Sequence, residues 1–262
     1  MKLQSLFDLH GKAALVTGGG RGLGKSIATA LAEAGADLVL ASRKLKNLAA
    51  AADEIEKSCG TRVLPVACDV AKEEEVDALL EGAMKTFGGI HVLVNNAGAA
   101  WGAPTLEFPL ERWDYLFNVN VRGVWMLTQK VARVMKEQGG GNIVNISSVW
   151  ASRGSEEALH PSVPYNSTKA AINLLTMNLA VKLAPYKIRV NAIAPGYFRT
   201  DMMAYMDKPE SRGVYEQLIR MIPMGRMGEV EDIRGAAVFL ASEASAYLTG
   251  HVLVIDGGLL AR

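Results

Sequence analysis

Short apolar runs alternating with longer helix-periodic segments constrain this chain more than any other feature. The runs fall at residues 13–17, 38–41, 62–67, 92–95, 142–146, 188–193 and 252–255. Helix-like segments fill 23–34, 46–57, 73–87, 111–136, 165–184 and 230–241. Runs that are apolar throughout belong to strands covered on both faces. Strands that alternate with helices build right-handed crossovers and a mainly parallel sheet. The expected fold class is therefore α/β, a single-domain, doubly wound, seven-stranded sheet over residues 1–262 with helices on both faces. Ligands of such a sheet bind beyond the carboxyl ends of its strands. Residues 197–229 interrupt the rhythm without a strand pattern and are expected to form a mobile lid over the site.

Composition narrows the partners. Of 262 residues half are hydrophobic and 21% are charged, enough apolar material for a sizeable core. Lys and Arg number 28 against 27 acids, a net charge of +1 that favours neither nucleic acid nor an anionic membrane. Every apolar run is too short to span a bilayer, and Asp8 and His10 stand where a signal peptide would be apolar. Cys59 and Cys68 form neither a metal spacing nor a disulfide framework. A cytoplasmic protein with two reduced thiols and no metal is expected.

The turn after the first strand reads Thr17-Gly18-Gly19-Gly20-Arg21-Gly22-Leu23-Gly24 and runs into a helix. Glycines there let backbone N–H groups approach a pyrophosphate, which the helix N-terminus stabilises, as in a Rossmann fold. The second strand ends at Ser42-Arg43, where an NAD-preferring site would offer a carboxylate to the ribose 2′-OH. Arg43, with Arg21 nearby, suits a 2′-phosphate, so NADP(H) is expected over NAD(H). Asp69 and Val70 after the third strand, and Asn96-Ala97-Gly98 after the fourth, lie at successive strand ends as further cofactor contacts. After the fifth strand come Ser147 and Ser148, then Tyr165 and Lys169 at i and i+4 of one helix. A cation near a phenol favours the phenolate, whose free pKa is about 10. Asn118 and Asn120 sit inside the long 111–136 helical pattern, an odd place for asparagine unless its polar groups are used.

Together these motifs resemble the short-chain dehydrogenase/reductase family from Leu9 to Gly258. They are TGGGRGLG (17–24), CDV (68–70), NNAG (95–98), NVNV (118–121), ISS (146–148), YNSTK (165–169), APG (194–196) and TGHVLVIDGG (249–258). The resemblance implies a catalytic tetrad of Asn120, Ser148, Tyr165 and Lys169. Tyr165 would act as general acid or base. Lys169 would lower its pKa and hold the nicotinamide ribose. Ser148 would donate to the substrate oxygen, and Asn120 would kink its helix and place a water. It further implies cofactor contacts at Asp69, Asn96, Ile193, Pro195, Gly196, Phe198 and Thr200.

Ser148 and Tyr165 stand 17 positions apart, more than is common in the family, and the extra residues form a loop at 151–164 that should reshape the substrate pocket. Candidate pocket residues are Trp101, Trp150, Arg153, His160, Tyr197, Met202, Met203 and Met206. Arg153 or His160 would be placed to pair with a carboxylate. The subgroup most resembled is that of gluconate 5-dehydrogenase, on FDLHGKAALVTGGGRGLG (7–24), LASRKLKNL (40–48), IAPGYFRTDM (193–202) and IPMGRMGEVEDIRGAAVFLAS (222–242). The expected substrate is a ketone or secondary alcohol of a sugar acid or polyol. The alternatives are a 3-oxoacyl thioester or an apolar or cyclic ketone, and, more remotely, a cofactor-binding regulator without catalysis. The resemblance also implies a homotetramer, with a dimer as the alternative, packed through 111–136, 164–184 and 251–256.

Overall fold

The structure, a computed structural model, describes residues 2–207 and 209–262, with the side chains of Met202, Tyr205, Asp207 and Pro209 outside the description. Seven strands form one sheet: β1 Ala13–Thr17, β2 Asp37–Ser42, β3 Val63–Ala67, β4 Val92–Asn95, β5 Gly141–Ile146, β6 Ile188–Pro195 and β7 Val252–Ile255. Their spatial order is β3-β2-β1-β4-β5-β6-β7, and each neighbouring pair is parallel. The α/β class read from the alternating runs is the observed one.

Successive strand residues serve opposite layers. Ala14, Val16, Leu38 and Leu40 face a core with Ile27 and Leu31 of α1 (Gly22–Glu33), Leu48 of α2 (Leu45–Cys59) and residues near the chain end. Leu15 and Val39 face the other core, with Val76 and Leu79 of α3 (Glu73–Phe87). Because both faces are covered, no strand of the inner sheet needs polar alternation, which is why the runs were continuous in sequence.

The segment expected as one helix over 111–136 is instead three pieces. They are α4 (Leu110–Phe117), a π-helical turn over Asn118–Gly123 and α5 (Val124–Glu137). Helical periodicity survives a single π turn, so the apolar spacing did not reveal the break. The chain returns through α6 (Val163–Leu183), α7 (Arg212–Met221) and α8 (Arg234–Ala241). Residues 197–229 are more structured than a bare lid. Tyr197, Met206, Leu218, Ile222 and Met227 are buried with Val149, Trp150 and Leu259 in a third cluster. The segment is thereby anchored to the loop after β5 and to the C-terminal segment.

A buried polar ladder fixes the carboxyl ends of the central strands. Asn95 Nδ2 donates to Thr128 Oγ1 and Asn145 Oδ1, both at 2.9 Å, and Asn145 Nδ2 donates to Thr176 Oγ1 at 2.9 Å. It ties β4 and β5 to α5 and α6, the elements that carry the candidate catalytic groups. Among the described residues no helix is long and apolar enough to cross a membrane, and no group of side chains is arranged to hold a metal.

Candidate active site

The sheet changes direction between β1 and β4, and the crevice opens there, as the strand order requires. Thr17 holds its floor. Its Oγ1 accepts from the Asn96 and Ala97 N–H groups at 3.0 Å, and its carbonyl accepts from Asn96 Nδ2 at 2.9 Å. The glycine turn is packed onto this floor so tightly that a Cβ at Gly24 would lie 2.3 Å from both Asn96 Nδ2 and the Gly18 carbonyl oxygen. α1 begins at Gly22 with no side chain capping it, so its first N–H groups are available to an anion.

A cavity of about 410 Å³ runs from this turn to the first turn of α6. Its lining includes Gly18, Gly20, Arg21, Gly22, Leu23, Gly24, Ser42, Arg43, Asp69, Val70, Asn96, Ala97, Gly98, Pro195, Gly196, Phe198 and Thr200. Ile193 is different: it is fully buried in the sheet core and is no part of that lining. Arg43 Nη1 donates to the Tyr115 hydroxyl at 3.3 Å, and Arg21 pairs with Asp201 at 3.3 Å. Both arginines are solvent-facing, so the pair adds little to stability. Tyr115, Lys44, Asn47 and Asp201 also line the cavity and were not singled out from sequence. Lys44 and Asp201 adjoin named residues. Tyr115 is brought in only by the fold. A glycine cradle, an uncapped helix N-terminus and two guanidinium groups together fit a phosphorylated dinucleotide.

Beyond the cradle stand the candidate catalytic side chains. Of the two serines after β5, Ser147 is tied down, donating to Asn173 Oδ1 at 2.6 Å. Ser148 Oγ accepts from the Trp150 N–H at 3.2 Å, which leaves its hydrogen free to point elsewhere. Tyr165 follows Pro164 in the first turn of α6, where proline costs no helix hydrogen bond. Lys169, one turn on, is 6% exposed, and its Nζ donates to the Ile146 carbonyl at 2.8 Å. Nζ lies 5.6 Å from the centre of the Tyr165 ring.

Burial sets both proton affinities. It pushes Lys169 down to about 8 and holds the Tyr165 phenol above its ordinary range, against a smaller opposing effect of its hydrogen bond with Ser148. The family resemblance implies that Lys169 lowers the tyrosine. Here the net direction is upward, because removing the phenolate from water is the larger effect. Asn120, 1% exposed, spends its side chain on the fold. Its Oδ1 accepts from the Ala99 N–H at 2.8 Å, while Nδ2 donates to the Ala99 carbonyl at 2.9 Å and Thr168 Oγ1 at 3.1 Å. Thr168 Oγ1 donates to the Tyr165 carbonyl, so Asn120 braces the turn that carries Tyr165. Asn118 faces Arg122 instead.

The substrate candidates divide. Trp150, His160, Tyr197 and Met203 line the cavity. Trp101 does not: it is 44% exposed and stacked under the Arg112 guanidinium at 4.2 Å. Arg153 does not line it either. Its Nη1 donates to the Leu259 carbonyl at 3.4 Å and its guanidinium lies 5.6 Å from the Trp150 ring centre. Met206 is buried in the lid cluster, and the Met202 side chain lies outside the described residues. Burial pushes His160 down to about 4, against an opposing pull from Asn166, so the imidazole is neutral at physiological pH. Arg153 is thus turned away from the cavity, while His160 lines it as an uncharged ring.

Known proteins resemble this chain over nearly its whole length. A family model described as enoyl-(acyl carrier protein) reductase matches residues 18–260. The 2-dehydro-3-deoxy-D-gluconate 5-dehydrogenase of Dickeya dadantii is 39% identical, with 98% of each chain covered. A short-chain type dehydrogenase/reductase of Mycobacterium marinum superposes with a TM-score of 0.93 at 39% identity, with 100% of each chain covered. A gluconate 5-dehydrogenase of Burkholderia cenocepacia, solved in complex with NADP and tartrate, superposes with a TM-score of 0.92 at 37% identity over 100% of both chains.

Proposed function

The chain belongs to the short-chain dehydrogenase/reductase family, and from that premise we propose that it interconverts a ketone and a secondary alcohol on a sugar acid or polyol, using NADP(H). The carrying observation is the convergence of Ser148, Tyr165 and Lys169 on one cavity whose far end presents Arg21 and Arg43. The names of the relatives, which concern gluconate and its keto derivatives, support the substrate class. NADP in the Burkholderia structure supports the cofactor.

The chain's own groups account for the proton work. Tyr165, protonated at neutral pH because burial raises its pKa, delivers a proton to the ketone oxygen as charge develops there. Ser148, its lone pair occupied by the Trp150 N–H, donates a hydrogen bond to the same oxygen. Lys169 stabilises the phenolate that remains and keeps N–H donors for a ribose hydroxyl. Asn120 holds Ala99 and the Tyr165 turn in register. Arg21, Arg43 and the glycine turn would hold the phosphates and 2′-phosphate. Bound NADP(H) would supply or accept the hydride.

Exposed apolar side chains on α5 (Trp125), α6 (Leu174, Met177, Val181) and the edge strand β7 (Val254) support assembly into a homotetramer. The test of the function is NADPH oxidation by purified protein with 5-ketogluconate, against an acetoacetyl thioester and a cyclic ketone. Turnover of the keto acid, lost in Tyr165→Phe while NADPH still quenches tryptophan fluorescence, is the expected result. Turnover of the thioester or cyclic ketone alone would replace the substrate assignment.

A further inference from the structure

The substrate end of the cavity is walled by uncharged rings. Trp150 is at its centre. His160 stacks on it with ring centres 5.0 Å apart and planes at 9°, and Tyr197 meets it edge-on at 5.9 Å and 83°. His160 also sets against Tyr165 at 5.3 Å and 67°, so the wall is continuous with the proton donor. Met203 joins it from the lid. The loop at 151–164 contributes His160 to this wall, while its cation, Arg153, is turned to the Leu259 carbonyl.

Among the described residues, the charged side chains that line the cavity come from elsewhere. Arg43, Lys44 and Asp69 follow β2 and β3, Arg21 is matched by Asp201, and Lys169, bonded to the Ile146 carbonyl, belongs with Tyr165. Aromatic faces carry negative charge density, which attracts C–H groups and repels a carboxylate. An anion placed there would lose its water without gaining a counter-ion. His160, held flat against Trp150 and edge-on to Tyr165, is part of this wall and adds no counter-ion to it.

We infer that this wall recognises the reacting end of the substrate as a neutral, hydroxyl-bearing carbon chain, leaving any carboxylate outside at the mouth of the cavity. The substrate class is thereby a neutral polyhydroxy ketone, with sugar acids accepted when the acid group lies several carbons from the carbonyl. A 5-keto acid meets that condition and a 2-keto acid does not. This inference rests on the polyhydroxy-ketone reading above.

Three substrates test it on the wild-type enzyme with NADPH: 5-ketogluconate, the ketose that differs from it only by a primary alcohol in place of the carboxylate, and 2-ketogluconate. The first two should agree in kcat/KM to within about threefold, and the third should fall at least about 100-fold lower. Arg153→Ala should leave the ratio of the first two unchanged. Met203→Arg, which brings a cation to the wall, should raise it about tenfold in favour of the acid. A wild-type preference for the acid above about tenfold, a comparable rate on 2-ketogluconate, or a selective loss of acid turnover in Arg153→Ala would overturn the inference. Activity on a thioester or cyclic ketone with none on these three would overturn the underlying substrate assignment, and the inference with it.

Discussion

Replacing Lys169 with methionine should abolish turnover and yet make the protein without cofactor harder to unfold at neutral pH. Burial brings the Lys169 pKa from its ordinary 10.5 to about 8. That interval, 10.5 − 8 = 2.5 pH units, corresponds to about 3 kcal/mol of penalty for holding the charged form inside. A lysine whose folded pKa is depressed leaves the unfolded chain with the extra proton between about pH 8 and pH 10.5, so wild-type stability climbs with pH across that window. Below it the penalty is fully present. Methionine removes the charge at similar volume. It also removes the 2.8 Å bond to the Ile146 carbonyl, a loss of roughly 1–2 kcal/mol that is the same at every pH. The variant should therefore gain about 1–2 kcal/mol at pH 7. Its advantage should shrink by about 2 kcal/mol on going to pH 9.5. Urea unfolding of both proteins at equal concentration, followed by tryptophan fluorescence at the two pH values, measures this. A stability difference that does not change with pH would refute the claim that Lys169 is held charged against its environment.

Removing the guanidinium in Arg43→Ala should raise KM for NADPH by about 10- to 100-fold and that for NADH by less than about twofold, read from steady-state kinetics; equal effects would deny Arg43 a phosphate. Gly24→Ala forces a Cβ to 2.3 Å from the Gly18 carbonyl oxygen, so it should lower the melting temperature and abolish the thermal shift that NADPH gives the wild type. The reductive kcat/KM should hold level from about pH 6 to pH 8 and then fall as Lys169 loses its charge at about 8, with no limb from His160, which titrates at about 4. A break near the ordinary histidine value would contradict the buried, neutral imidazole.

Much of the site was legible because its residues sit at strand ends, and strand ends are set by local pattern. The turn 17–24, Ser42-Arg43, Asp69, Asn96 and Ser148 each follow an apolar run, and a parallel sheet brings all such ends to one edge. Tyr165 and Lys169 are a turn apart on a helix with a proline in its first turn, a spacing many helices share, so their role was legible through the family resemblance. The π turn at Asn118–Gly123 was not, because it changes hydrogen bonding without disturbing apolar spacing. Tyr115 beside Arg43 was not, because the two are 72 residues apart in sequence and meet only across the crevice.

Periodicity and turn chemistry, which are properties of neighbouring residues, determined that this chain forms a doubly wound sheet and which side chains reach its carboxyl edge. Tertiary structure alone decided their condition there. Burial, which depends on residues remote in sequence, raised Tyr165, lowered Lys169 and kept His160 neutral. The packing of the 151–164 loop against the C-terminal segment turned Arg153 away from the cavity and left Trp150 facing it. A sequence carries the identity of an ionisable group, but its charge follows from the dielectric and partners that the folded chain assembles around it.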